Sequence, residues 1–309
     1  MRSQEEIMTA ITVKPIGFAL GAAITGVDLT KPLSMSIKEQ VSEAWREHLV
    51  LVFPDQKLSP EQMIEFTSSF GSLDPNDAAP YYRDPTHKEI LIVTNKPLDG
   101  KPSETATAGT SWHSDRTYTL RPTKASFLLC KEKPSVGGDT IFSNMYKAYE
   151  TLSRPFQEFL DKLEALHDVS LIKGLDKRDP EKVAAMKKLN PPVIHKVIQT
   201  HPETGRKCLF VGQRIRSFVG MTEAESAPIL SFLNQHAVSL EFTYRHNWSL
   251  NDLMMWDNRC TMHIAVPNYD KSQIRYMLRT ALLGEEIGRR FEETAKAEVS
   301  MEKELAAVS

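Results

Sequence analysis

The sequence has little of what marks several large functional classes. Its 309 residues include only three cysteines, Cys130, Cys208 and Cys260. They are too few and too scattered for a disulfide framework, and none has a CxxC partner for a thiolate zinc site. They read as reduced thiols in a cytoplasmic protein. No run of 18 apolar residues occurs, so no membrane span is expected. The first fifteen residues carry two glutamates and no long apolar stretch, unlike a secretory signal. Excess charge of one sign is also missing: 38 basic residues face 40 acidic ones, a formal net charge of −2. A nucleic-acid partner, which would need a basic footprint, is therefore not expected. Internal repeats, low-complexity tracts and a Gly-rich phosphate loop between regular β-α units are lacking too, which argues against a doubly wound nucleotide fold.

What remains is an ordinary globular balance, 41% hydrophobic and 25% charged, enough for a sizeable core. Strand signals run through the whole chain, and helical ones lie early and in the middle. SIKEQVSEAWREHL places Val41, Ala44, Trp45 and Leu49 on one helical stripe. LVLVFPDQ reads as a short strand buried on both faces. Ser59-Pro60-Glu61-Gln62 is a helix start with a capping box, and a helix is expected to end near Gly71. EILIVTN, ASFLLCKEK, TIFSN, SLEFTYRHNW, DLMMWDN and IRYMLRTALLG read as strands, and VIHKVIQTHPETGRKCLFVG as strand, turn, strand. Residues 145–166 read as helical, and a further helix opens at Thr222 and runs to about His236. The pattern predicts an α+β, mainly β protein: a double-stranded β-helix, or jelly roll, with flanking helices. The expected organisation is one domain over 1–309, with a core of about 12–285 and a charged tail from 286 on. Two long aperiodic stretches, 74–110 and 170–193, are natural lid candidates.

The sharpest local feature is Trp112-His113-Ser114-Asp115. Residues two apart on an extended segment point to one side, so His113 and Asp115 can converge. His263, just past the DLMMWDN strand, offers a third donor. Two histidines and a carboxylate on one face of a metal form the ligand set of an oxygen-activating ferrous site. Taken alone, an HxD triplet is common by chance, and a histidine bonded in the core is the ordinary reading of His263. Zinc would accept the same three donors. Arg275 and Arg279, in an apolar strand at even spacing, would face one side together and call for an anionic partner. A guanidinium fork matches a carboxylate, although a structural ion pair is the plain alternative. Arg214 and Arg216 could contact anions as well, but a solvated face is the better reading.

GAAITGVDL, LVFPDQ, FGSLD, WHSDRTY, GGDTIFSNMYKAYETL, HPETGRKCLFVG and WDNRCTMHIAVPNY leading to RYMLRT occur in this order over about residues 15–284. Through them the chain resembles the taurine and 2,4-dichlorophenoxyacetate dioxygenase family. The nearest likeness is to the aryloxyalkanoate-type members, through HPETGRK, GMTEAES and WDNRCTMH. The resemblance implies an enzyme that uses iron(II), 2-oxoglutarate and dioxygen to hydroxylate, and thereby in some cases cleave, a small anionic substrate, releasing succinate and carbon dioxide. Residue by residue, it implies that His113, Asp115 and His263 bind iron, and that Thr140 and Arg275 hold the distal carboxylate of 2-oxoglutarate. Arg279 would lie near the other end of the co-substrate or the anionic group of the substrate. The two arginines can exchange duties, because the gap from His263 to Arg275 is one residue longer than in close members. A homo-oligomer is implied as well. The chain departs from the taurine enzymes at Asp74-Pro75-Asn76-Asp77 and Gly109-Thr110-Ser111, where sulfonate-binding groups are missing. An aspartate at that place would repel an anion unless the loop turns it away. Alkylsulfonate or alkylsulfate cleavage and hydroxylation of an amino acid or natural product are the alternatives within the family, and a non-catalytic binding or sensor module on the same fold is the alternative outside it.

Overall fold

A computed structural model describes residues 10–78, 80–97, 100 and 103–291. In chain order its main elements are β1 (Thr12–Pro15), β2 (Ala22–Thr25), α1 (Met35–His48), β3 (Val50–Phe53), α2 (Pro60–Ser68), β4 (Leu91–Thr94), β5 (Ala125–Glu132), β6 (Thr140–Asn144), α3 (Met145–Glu150), α4 (Arg154–Leu160) and β7 (Glu164–His167). There follow α5 (Pro180–Leu189), β8 (Val193–Lys196), β9 (Ile198–Thr200), β10 (Lys207–Leu209), β11 (Ile215–Phe218), α6 (Glu223–His236), β12 (Thr243–His246), β13 (Leu253–Asp257), β14 (Thr261–Ala265), β15 (Tyr276–Leu282) and β16 (Arg289–Arg290).

A seven-stranded sheet, ordered β1-β2-β3-β13-β5-β15-β4, forms one wall. Its middle strands are apolar throughout because both faces are covered. Val50, Val52, Leu128, Met254 and Trp256 point to one core, while Leu51, Phe53, Phe127, Leu129 and Met255 point to the other. That alternation is the two-residue period of a strand. The second core is closed by α1 and α2 through Val41, Trp45, Met63 and Phe66. The first core faces the smaller sheets, β12-β6-β14 and β11-β7-β8-β16, which form the opposite wall of the jelly roll. Helix α2 starts with both arms of its capping box: the Gln62 amide donates to the Ser59 hydroxyl and the Ser59 amide to the Gln62 side chain.

Several expectations are corrected. Residues 145–166 are not helical throughout: α3 ends at Glu150 and α4 at Leu160, and Glu164–His167 pairs with β8 and β11. The 170–193 stretch carries α5, capped by Asp179. His263 does not follow a strand but sits in the middle of β14, paired with Phe142 of β6. Arg289–Arg290, within the supposed tail, pairs with Val193 and Ile194; residues 292–309 lie outside the described residues. Among the described residues no helix is long and apolar enough to cross a membrane.

Candidate metal centre and its cavity

His113 is held not by a regular strand but by an isolated antiparallel bridge to His263. Its amide donates to the His263 carbonyl at 3.0 Å, and the His263 amide returns a bond of 2.8 Å. Residues facing each other across an antiparallel pair lie side by side. The rings therefore meet, with centroids 4.3 Å apart. Asp115, two residues on, presents Oδ1 at 3.5 Å from His113 Nε2 and 4.0 Å from His263 Nε2. The three side chains offer one donor atom each within 4.8 Å of one another, a spacing one metal ion can bridge.

The protonation states fit such an ion. His113 Nδ1–H donates to the Ser111 carbonyl at 2.6 Å, which leaves the Nε2 lone pair facing the cluster. Burial pushes His113 down, with the Arg214 charge adding to it; burial and then His113 hold His263 well below the usual range. Burial would raise Asp115, yet the charge of Arg279 holds it well below an ordinary carboxylate. Two neutral imidazoles and one carboxylate are the protonation states a divalent metal needs. The second oxygen, Oδ2, is tied back by Ser126 Oγ at 2.6 Å and Arg279 Nη2 at 2.9 Å. Asn258 links this group to the wall: it donates to Ser126 Oγ and accepts from the Trp256 indole and the Asp115 amide. Trp256 and Phe142 pack against the His263 ring at 4.9 and 5.8 Å. Trp112 packs against the core and is absent from the cavity wall.

A second group, His201, Asp257 and Cys260, also has metal-like spacing. Two of its three donors are committed. Arg259 and His201 hold Asp257, and His201 Nδ1 accepts from the Glu203 and Thr204 amides.

The first cluster opens into a cavity of about 170 Å³ that Thr140, Arg275 and Arg279 also line. The six residues that the resemblance assigned to the metal and the co-substrate thus line one cavity. Thr67 and Thr280 join on the helix side of β15, so the odd-numbered Arg279 and Arg275 share the cavity side. Arg275 Nε donates to the Gly138 carbonyl at 3.0 Å, but Nη2 is buried with no partner among the described residues. Gly138 lies at φ +73°, and a Cβ there would come 3.3 Å from Arg275 Cδ, so glycine is what lets the arginine pass. Thr140 Oγ1 accepts from the Trp248 indole and keeps its hydroxyl proton free to donate. Arg279 is spoken for by Asp115.

Arg116 and Arg178, which the sequence reading left unnamed, also line the cavity. Asp74 does not face the cavity: it is buried against Arg116, at 2.6 and 2.5 Å, and Asn76 caps the same guanidinium at 2.7 Å. The loop thereby turns its charge away. Arg116 follows Asp115 with a left-handed backbone, φ 53°, a conformation non-glycine residues seldom hold and one that clusters at working sites. Arg214 corrects its solvated reading: it is half-buried, lines the cavity and stacks over Tyr118 at 5.3 Å. Arg216 is the one at the surface, paired with Asp168. Both excursions reach the cavity, one through Tyr82 and Thr105, the other through Ile172, Arg178 and Met186. They are latched together by Lys182 and Glu104 at 2.5 Å, with Tyr82 donating to Glu104 at 3.1 Å.

Comparison with known proteins agrees with this arrangement. The model of the family "Taurine catabolism dioxygenase TauD, TfdA family" matches residues 12–281. The alpha-ketoglutarate-dependent 2,4-dichlorophenoxyacetate dioxygenase of Cupriavidus pinatubonensis is 32% identical over 287 residues, 90% of this chain and 99% of the relative. The alpha-ketoglutarate-dependent sulfate ester dioxygenase of Pseudomonas putida is 32% identical over 89% of this chain and 90% of its own length. The crystal structure of AAD-2 in complex with Mn(II) and N-oxalylglycine superposes with a TM-score of 0.81 at 30% identity, covering 90% of this chain and 99% of that one. Sequence, fold and cavity agree, and the chain belongs to the TauD, TfdA family of dioxygenases.

Proposed function

We propose that the chain is an iron(II)- and 2-oxoglutarate-dependent dioxygenase that hydroxylates a small organic anion, with an aryloxyalkanoate as the first substrate class to test. One observation carries the reading. A cluster of two neutral imidazoles and one ionised carboxylate shares a cavity with Arg275, a buried cation with a donor left unpaired. A dicarboxylate keto-acid that meets the metal at one end and needs a cation at the other fits that pair of features.

In this reading His113, Asp115 and His263 hold the ferrous ion. When bound, the ion with 2-oxoglutarate and dioxygen supplies oxidative decarboxylation to succinate and carbon dioxide, together with oxygen insertion into a C–H bond. The chain's own residues do the rest. The Ser111 carbonyl fixes the His113 tautomer, and Arg279 and Ser126 orient Asp115 so that Oδ1 faces the imidazoles. Arg275 and Thr140 receive the distal carboxylate. Trp256 and Phe142 give the site an apolar wall that keeps water from it. The segments at 74–110 and 170–193 serve as lids.

The relatives divide between aryloxyalkanoate enzymes and those for sulfate esters or sulfonates, so alkyl sulfates and alkylsulfonates are the second class to try. The remaining expectations are proposed on the resemblance: one domain, a homo-oligomer, and a cytoplasmic setting in which the buried thiols of Cys130, Cys208 and Cys260 stay reduced. The test is succinate formation under air with iron(II), ascorbate and 2-oxoglutarate, in the presence of each candidate anion. Succinate that rises with one anion and needs all three components supports the reading. No succinate with any anion would leave only a binding module on this fold.

A further inference from the structure

Five arginines line the cavity, Arg116, Arg178, Arg214, Arg275 and Arg279, yet among the described residues Asp115 is the only carboxylate in its wall. Three of the five are accounted for. Arg116 is neutralised by Asp74 and Arg279 by Asp115. Arg275 is assigned above to the distal carboxylate of the co-substrate, whose other carboxylate belongs at the metal. Two cations remain.

Arg178 and Arg214 are built alike. Arg178 lies 5.2 Å over the Tyr82 ring and donates Nη1 to that hydroxyl. Arg214 lies 5.3 Å over the Tyr118 ring and donates Nη1 to the Ser114 carbonyl. Each stacked guanidinium leaves Nε buried without a partner. Neither has a carboxylate at ion-pair distance among the described residues. Burial lowers the pKa of Arg214, and the charges of Arg279 and Arg178 push it the same way against Tyr118 and Asp115. A partly desolvated cation in this state is stabilised by any anion that reaches it. Ile172 and Met186, from the segment that carries Arg178, supply apolar wall beside it.

We propose that Arg178 and Arg214, each stacked on a tyrosine, form an oxyanion site for the charged head of the substrate, with its apolar body against Ile172 and Met186. The proposal rests on the dioxygenase reading only in giving Arg275 to the co-substrate. Because Arg178 stands on the 170–193 segment, latched to the other excursion through Lys182 and Glu104, the site is complete only when both segments cover the cavity. The head group is a carboxylate, sulfonate or sulfate ester. A neutral analogue of the same shape is rejected, since it would leave both cations unpaired.

The test is calorimetric titration of the protein loaded with Mn(II) and 2-oxoglutarate, which binds without turning over. The probes are phenoxyacetate, phenylmethanesulfonate and phenyl sulfate, with phenoxyethanol as the neutral control. At least one anion should bind about tenfold or more tightly than phenoxyethanol, and its chemistry identifies the head group. Arg178→Gln and Arg214→Gln should each weaken that anion by about tenfold or more, the lysine variants by less, with the 2-oxoglutarate affinity unchanged. The two arginines stand on separate segments, so a folding defect in one variant leaves the other to decide. Equal binding of anions and phenoxyethanol would overturn the proposal. So would glutamine variants that weaken 2-oxoglutarate as much as the probe. If the wild type binds the anion through these arginines but fails to bind 2-oxoglutarate, the oxyanion site stands and the dioxygenase reading falls.

Discussion

Replacing Arg275 with glutamine should move co-substrate affinity and stability in opposite directions. The guanidinium is 7% exposed; Nε bonds the Gly138 carbonyl and Nη2 has no partner. Burial lowers its pKa, and Tyr269, Cys130 and Asp139 offset this only in part. In the co-substrate-free protein the residue is thus a desolvated cation with no carboxylate at ion-pair distance among the described residues. Removing its charge should leave the Tm unchanged or raise it. With 2-oxoglutarate bound as proposed, a bidentate pair is lost. A hydrogen bond to a charged group contributes about 1.5–3 kcal/mol, and the glutamine amide replaces one of the two in weakened form. The net loss is about 2–4 kcal/mol, which at 1.4 kcal/mol per factor of ten is about 30- to 1,000-fold in Kd. Titration of 2-oxoglutarate into the Mn(II)-loaded protein measures the first effect, and a thermal melt without co-substrate the second. A Kd within about threefold of wild type, together with a melting point that falls by several degrees, would make Arg275 a structural residue and refute the reasoning.

Three other outcomes follow from the same geometry. His113→Ala removes one of three donors, so metal content after loading should fall and succinate formation with every substrate should stop; full activity would end the assignment of that residue. Asp74→Asn strips the charge from the partner of buried Arg116 and should destabilise the fold by about 3–5 kcal/mol in urea melts, whereas a loss below about 1 kcal/mol would mean the pair adds nothing. His195 is pushed down to about 4 by burial, from an ordinary 6.5, so it stays neutral in the folded state. Between these values the unfolded chain binds the extra proton. Its contribution is therefore complete above pH 6.5 and is lost as pH falls toward 4, about 2 kcal/mol of it by pH 5. His195→Leu should flatten the stability difference between pH 7 and pH 5 by about that amount, and an unchanged pH slope would contradict it.

Much of the fold was legible because some segments state their own environment. LVLVFPDQ and ASFLLCKEK are apolar at successive positions, and the strands they form are buried on both faces. The Ser59–Gln62 capping box marks its helix start to the residue. Glu164–His167 was illegible for the opposite reason. Glu-Ala-Leu-His suits a helix, and only pairing with β8 and β11, distant in sequence, makes it a strand. The donors His113, Asp115 and His263 carry a motif, but the bridge that joins the two histidines is a tertiary contact with no local signal. Arg214 and Arg216 diverge because the register of β11 against β7 shifts between Ile215 and Ser217. A bulge re-aims side chains that strict alternation would put on one face. Asp74 looked like a hazard to an anion because its partner, Arg116, lies more than forty residues away in the chain.

Anomalous diffraction at the iron edge, from an anaerobic crystal of the protein grown with iron(II) and 2-oxoglutarate, would locate the metal and the keto-acid together. One peak is expected, about 2.1 Å from His113 Nε2, His263 Nε2 and Asp115 Oδ1, with the distal carboxylate of the keto-acid against Arg275. Iron at His201, Asp257 and Cys260, or 2-oxoglutarate lying away from Arg275, would contradict it.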